Sequence, residues 1–285
     1  MPSDAIVTIF TDPGCPFGFN AQRQDLQLRW TYGEHADVRV RMIVLKSRPL
    51  EFEPGGFLSP AKLVANGTHL RDEHGMPMEV RAPERLPATR PACKAVIGAR
   101  LDGGEAGGDR LLRAIRVRVH SAGELIDQPA TLAAAAADVG VGEPTLRGWL
   151  ESDAVEAELV EEMAAARTPV PEALALPHKL AREGEDGWRY TASSTVVESG
   201  ERRAAAPGFQ PWAAYEVAFA AAAPQLPRRA APESAEELLA WAPYPLATAE
   251  VAAVRGVSIK HARAELEASP ATLAPYANDG YWSLP

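Results

Sequence analysis

Two hydrophobic periods alternate along the N-terminal part of the chain. Ala5 to Phe10 is a short, nearly continuous apolar run of the length of a buried strand. His35 to Leu45 sets Val38, Val40, Met42 and Val44 against Asp37, Arg39 and Arg41, the period of two that marks a strand with one covered face. Between them Phe19, Leu26 and Trp30 recur at helical spacing, which predicts a helix opening at Pro16, a favoured first helical position. Strand, helix and strand in about 45 residues predict a parallel βαβ unit with a right-handed crossover.

From Lys46 to Pro91 the pattern dissolves into Pro, Gly and charge, and loops with short helices are expected there. Helical periods return over Ala92–Leu101, Asp109–His120 and the Ala-rich Gln128–Val139, and Ser152 is a good N-cap for a helix to about Ala166. Trp188 to Ser199 is a β-rich run, and Pro211–Ala222 carries Trp212, Tyr215 and Phe219 on one helical face. Pro224–Pro232 reads as a linker. Beyond it, residues 233–285 predict a small unit of three short helices. A hairpin closes it around Asn278-Asp279-Gly280, a strong turn signal.

The totals narrow the classes. A chain of 285 residues with 46% hydrophobic content can build a full core and two domains. No run approaches the roughly 20 apolar residues of a membrane span, and the first strand begins too early to leave room for a signal peptide. Two cysteines do not make a disulfide framework, so a cytoplasmic location is expected. The net charge of -9 disfavours non-specific attraction to nucleic acid or anionic membrane. Within 233–285 three basic residues (Arg255, Lys260, Arg263) face seven acidic ones, so protein contact, and not DNA, is expected of the tail. His69 and His74 flank charged residues in a loop without further ligands, and no metal site or nucleotide-binding glycine motif is found.

The candidate chemistry lies in Thr11-Asp12-Pro13-Gly14-Cys15-Pro16-Phe17-Gly18. Cys15 stands where a helix begins, beside unpaired N–H groups and the positive end of the dipole, both of which favour the reactive thiolate. The expectation is a depressed pKa and a partly open sulfur. Strand, Cys-Pro turn and helix form the layout of a thioredoxin-like active site, but Gly18 occupies the place of the second cysteine of a Cys-x-x-Cys pair. Cys93, one turn before Ile97 on a helix, reads as a buried structural cysteine.

Three separated segments, Thr11–Phe19, Ala88–Val96 and Trp188–Tyr190, resemble the DsbA-like family in the same order, over about residues 4–222. That family contains thiol–disulfide oxidoreductases and the kappa-type glutathione transferases with 2-hydroxychromene-2-carboxylate isomerases. The resemblance implies a thioredoxin-like α/β fold over 1–222, opened by a helical insertion at about 46–186. Beyond the span of the resemblance, 223–232 is expected to be a linker, and the three short helices with their hairpin outline a winged-helix-like unit over 233–285. The resemblance implies Cys15 as a lone nucleophile, and Asp12, Pro16, Phe17, Tyr190 and Ser194 are the expected substrate-binding residues. No permanently bound cofactor is expected; a low-molecular-weight thiol would serve as co-substrate for a disulfide substrate. The alternatives are a kappa-type transferase or isomerase and a non-catalytic adaptor binding a protein partner through its tail. The family places a cis-proline before its late strand. Here Ser193-Ser194-Thr195 holds no proline, so trans peptides are expected at Ser193 and Ser194.

Overall fold

A computed structural model describes residues 4–52, 58–185 and 187–285. Its central sheet has the strand order β2-β1-β5-β6, formed by β1 (Ala5–Thr11), β2 (Ala36–Met42), β5 (Ser194–Ser199) and β6 (Arg202–Ala206). β1 and β2 are parallel, in register from Ala5 opposite Ala36 to Thr11 opposite Met42. β5 runs antiparallel to β1, and β6 antiparallel to β5. Along β2 the predicted alternation holds: Val38, Val40 and Met42 are buried and Asp37, Arg39 and Arg41 half-buried. The predicted first helix is two helices, α1 (Pro16–Asn20) and α2 (Gln22–Tyr32), meeting at Ala21.

Between β2 and β5 lies a mostly helical insertion. It comprises α3 (Pro60–His74), α4 (Arg90–Arg116), α5 (Pro129–Asp138), α6 (Glu143–Glu151), α7 (Asp153–Ala166) and α8 (Pro171–Leu174). A hairpin of β3 (Leu180–Glu183) and β4 (Gly187–Tyr190) follows. α4 and α7 pack on β2, while α9 (Trp212–Ala222) covers β5 and β6. The Ser152 hydroxyl caps α7 by accepting from the Val155 N–H at 3.4 Å. α4 merges the two predicted helices across Gly103 and Gly104, which leave helical geometry; Gly104 has φ 68°. α4 then runs into a π-helical turn, Val117–Ser121.

Several elements depart from the pattern reading. α3, at 15 residues, is longer than the short helices expected between loops over Lys46–Pro91, and residues 53–57 of that stretch lie outside the described residues. His69 and His74 are therefore on a helix, with His69 paired to Glu73 at 2.8 Å one turn on. The Trp188–Ser199 run is two strands of different sheets, broken at Thr191–Ser193. β6 went unpredicted because Arg202-Arg203-Ala204-Ala205-Ala206 lacks the β-branched and aromatic residues that mark a strand.

The tail holds α10 (Ala235–Trp241), α11 (Thr248–Arg255), α12 (Ile259–Glu267) and the hairpin β7 (Thr272–Tyr276) and β8 (Asp279–Ser283). The hairpin turns at Ala277-Asn278, with Asp279 and Gly280 already in β8. Leu26 and Trp30 of α2 share a core with Leu238, Val251, Leu266 and Trp282. The segment joining body and tail is pinned along α2, where Trp30 Nε1 donates to the Ala230 carbonyl at 2.7 Å and the Arg229 N–H to Thr31 at 2.9 Å. Arg113 of α4 grips Glu250 of α11 in a two-pronged buried ion pair at 2.6 and 2.7 Å. Its guanidinium also stacks between the rings of Tyr244 and Tyr281.

Candidate active site

Asp12 builds the loop that presents Cys15. Its carboxylate is fully buried: Oδ1 accepts from the Gly14 N–H at 2.8 Å. Oδ2 accepts from the Leu45 N–H at 2.8 Å and from the Thr89 hydroxyl at 2.7 Å. One side chain therefore ties the loop after β1 to the segment after β2 and to the start of α4. Both its oxygens are committed to the protein. The loop is further held by His120, whose Nε2 lies 3.1 Å from the Pro13 carbonyl. Burial drives the His120 pKa down to about 3. The imidazole is therefore neutral, with its proton on Nε2, because a carbonyl can only accept.

Cys15 is the N-cap of α1 and Pro16 its first residue. The backbone conformation follows: the Cys15 N–H donates to the Asp12 carbonyl at 3.2 Å, and the Cys15 carbonyl accepts from the Phe19 N–H at 2.9 Å. The sulfur lies 3.9 Å from the carbonyl oxygen of Ala192. It shares an apolar cluster with Phe10, Ile43, Tyr190, Ala192 and Val196. Only 8% of the residue is exposed. Burial raises the thiol pKa above its ordinary value. The Gly18 N–H pulls the other way, the Asp12 carboxylate pushes up again, and the Phe17 N–H and Arg116 guanidinium pull down. The sequence expectation of an open sulfur with a depressed pKa is thus corrected. The helix terminus does favour the thiolate, but the apolar wall outweighs it.

The peptide between Ala192 and Ser193 is cis, against the expectation of trans bonds there. The turn that carries it is held on both sides by hydrogen bonds. The Thr191 hydroxyl donates to the Lys179 carbonyl at 2.7 Å, and the Ser194 hydroxyl to the Thr191 carbonyl at 2.6 Å. The Gly208 N–H donates to Ser194 Oγ at 2.8 Å.

The residues singled out from the sequence fall into two groups. Cys15, Pro16 and Phe17 are together at the start of α1, and Phe17 is 41% exposed. Phe17 meets the edge of Phe209 at 6.0 Å between ring centres. The two rings line a groove of about 630 Å³ with Arg23, His74 and Trp212. Asp12, Tyr190 and Ser194 face inward. Tyr190 stacks on Phe10 at 4.3 Å and its hydroxyl accepts from the Val170 N–H. Cys93 is fully buried, with Sγ 3.7 Å from Asp12 Oδ2, and burial raises its pKa well above the ordinary value. The sequence reading missed Ala192, whose carbonyl faces the sulfur, and Arg116. A cation at a helical position usually reads as solvated, and nothing local marks Arg116 as buried. Among the described residues there is no His/Cys/Asp/Glu cluster suited to a metal, and no helix long and apolar enough to cross a membrane.

No known family profile and no curated protein matches the chain. Solved structures do. A Nitrosomonas europaea protein assigned as a protein disulfide isomerase superposes with a TM-score of 0.60 at 19% identity, covering 76% of this chain and 96% of its own. The cytosolic disulfide reductase DsbM of Pseudomonas aeruginosa gives 0.53 at 16% identity, covering 74% and 97%. That reductase has also been solved with GSH. A Streptomyces coelicolor oxidoreductase assigned to the DsbA type gives 0.50 at 16%, covering 76% and 89%. The likeness is one of fold: a DsbA-like thioredoxin fold spans about three quarters of this chain.

Proposed function

We propose that this DsbA-like thioredoxin-fold chain catalyses thiol–disulfide exchange, with Cys15 as its lone nucleophile and a small thiol as co-substrate. The observation that carries this reading is the position of Cys15. It opens α1 opposite the Ala192 carbonyl, with glycine at position 18 and the other sulfur, Cys93, fully buried against Asp12. The thiolate of Cys15 attacks one sulfur of a disulfide. A Cys15–substrate disulfide forms while the second sulfur departs as a thiolate and takes a proton from water. A small thiolate then attacks the mixed disulfide, regenerating Cys15 and carrying the substrate half away as a new disulfide. The similarity of fold to a cytosolic reductase solved with GSH supports a small thiol as resolver and a cytoplasmic setting. Because burial keeps the thiol largely protonated at neutral pH, the rate is expected to climb as pH rises toward the raised pKa.

One observation favours a second reading. A sulfur only 8% exposed behind an apolar wall also suits a non-catalytic adaptor, its winged-helix-like tail serving as the contact surface. The two readings separate in a coupled assay with glutathione and 2-hydroxyethyl disulfide. The enzyme reading expects turnover that rises with pH, persists in Cys93→Ser and vanishes in Cys15→Ser. Wild-type protein without turnover above the uncatalysed rate would leave the adaptor.

A further inference from the structure

Position 18 is where a second active-site cysteine would point its sulfur back toward Cys15. A Cβ built on Gly18 would lie 2.8 Å from Thr11 Oγ1 and 3.1 Å from Nη2 of Arg116. The space is therefore filled from elsewhere, by the Thr11 hydroxyl and by a guanidinium carried in at the last turn of α4. Arg116 is itself buried, at 2% exposure. Its Nη2 donates to the Thr11 hydroxyl at 2.6 Å, its Nε makes no hydrogen bond, and it forms no ion pair among the described residues. A buried guanidinium with no carboxylate in direct contact is costly to keep, and the anions that face it are the Asp25 carboxylate and the Cys15 thiolate.

We propose that Arg116 is the built-in counter-charge of the Cys15 thiolate, a cation standing in the place of the absent second cysteine. This inference rests on the reading of Cys15 as a nucleophile. Such a cation works in a monothiol site because no internal disulfide has to form across it. It acts through its field and its position, holding the anionic sulfur as attack begins and again when the sulfur is released from a mixed disulfide.

The ionisable groups around the pair define what else could move the sulfur. Asp12 of the same loop faces Cys15 and opposes the thiolate; Arg116 favours it. Arg116 is faced by Asp25 of α2, by Cys15 and Asp12, and by Tyr244 ahead of α11. His120, beyond α4 on the π-helical turn, is neutral. Asp25 is buried with Oδ1 lacking a partner, and burial raises its pKa to about 6. At neutral pH it is therefore largely ionised and competes with the sulfur for the same guanidinium.

The test is the pH dependence of Cys15 alkylation by iodoacetamide, read site by site by mass spectrometry. Arg116→Met is expected to raise the apparent pKa of Cys15 further above its ordinary value. Its rate at neutral pH should then fall severalfold, while Arg116→Lys stays near the wild-type profile. A wild-type profile in Arg116→Met overturns the inference. Should Arg116→Met not fold, Asp25→Asn decides: it keeps Arg116, removes the competitor and is expected to lower the Cys15 pKa, and an unchanged or higher value overturns the inference. If Arg116→Met shifts the profile but the wild type never forms a mixed disulfide, the redox reading falls and the counter-charge stands. If the mixed disulfide forms but no variant moves the profile, the reverse holds.

Discussion

Neutral His120 ties the stability of the site loop to pH. Its folded pKa of about 3 lies far below the roughly 6.5 of an exposed histidine, because burial disfavours the cation. The unfolded chain therefore takes up a proton below about 6.5 that the folded chain refuses. The stability this group contributes is fully present above that pH and is lost as pH falls toward 3, at about 1.4 kcal/mol per pH unit. A His120→Gln variant keeps a donor for the Pro13 carbonyl without a titrating ring. Chemical denaturation across pH 7 to 4 should give the variant a shallower acid slope than the wild type, and parallel slopes would refute the assignment. At the same scale, the sequence made Cys15 and its helix start legible because Cys-Pro after an apolar strand is a local signal. It could not show that Asp12 is spent on Leu45 and Thr89, or that Arg116 fills the space beside Gly18, since those contacts join residues 33, 77 and 105 positions apart.

Among the elements, the joint between α4 and α11 is held by a buried ion pair. Arg113 and Glu250 are both buried, and Arg113 Nη2 also reaches the Pro245 carbonyl at 2.9 Å. Removing one partner strands the other charge away from water, which typically costs about 3–5 kcal/mol. Arg113→Ala should therefore destabilise the whole chain by about that much, and Glu250→Ala likewise. In the double variant the loss should be well short of the sum, because no stranded charge remains. Urea unfolding of the four proteins measures this, and strictly additive losses would show that the pair is not coupled. The legibility of the elements follows their periods. β2 shows a clean alternation and was read directly. α3 hides because Pro60–His74 carries Gly67 and few apolar residues. The β4–β5 run concealed a break because Thr191-Ala192-Ser193 carries no Gly or Pro to mark a turn between the two strands.

For the whole molecule, the order of periodic segments was enough to place β1 beside β2 and to expect a thioredoxin-like sheet opened by helices. What composition could not foresee is how closely the tail lies against the body. Ile259 Cδ1 approaches Gly75 so closely that a side chain there would collide with it, and Asn278 Oδ1 accepts from the Met78 N–H at 2.9 Å. The tail thus braces α2 and α3, the helices that flank the groove beside Phe17. The function proposed for this assembly stands on one sulfur, and its most direct test is covalent. Protein incubated with oxidised glutathione at pH 8 and quenched in acid should carry one glutathione, mapped by peptide mass spectrometry to Cys15. The adduct should persist in Cys93→Ser and be absent from Cys15→Ser. An unmodified Cys15, or label divided equally between Cys15 and the buried Cys93, would contradict the account.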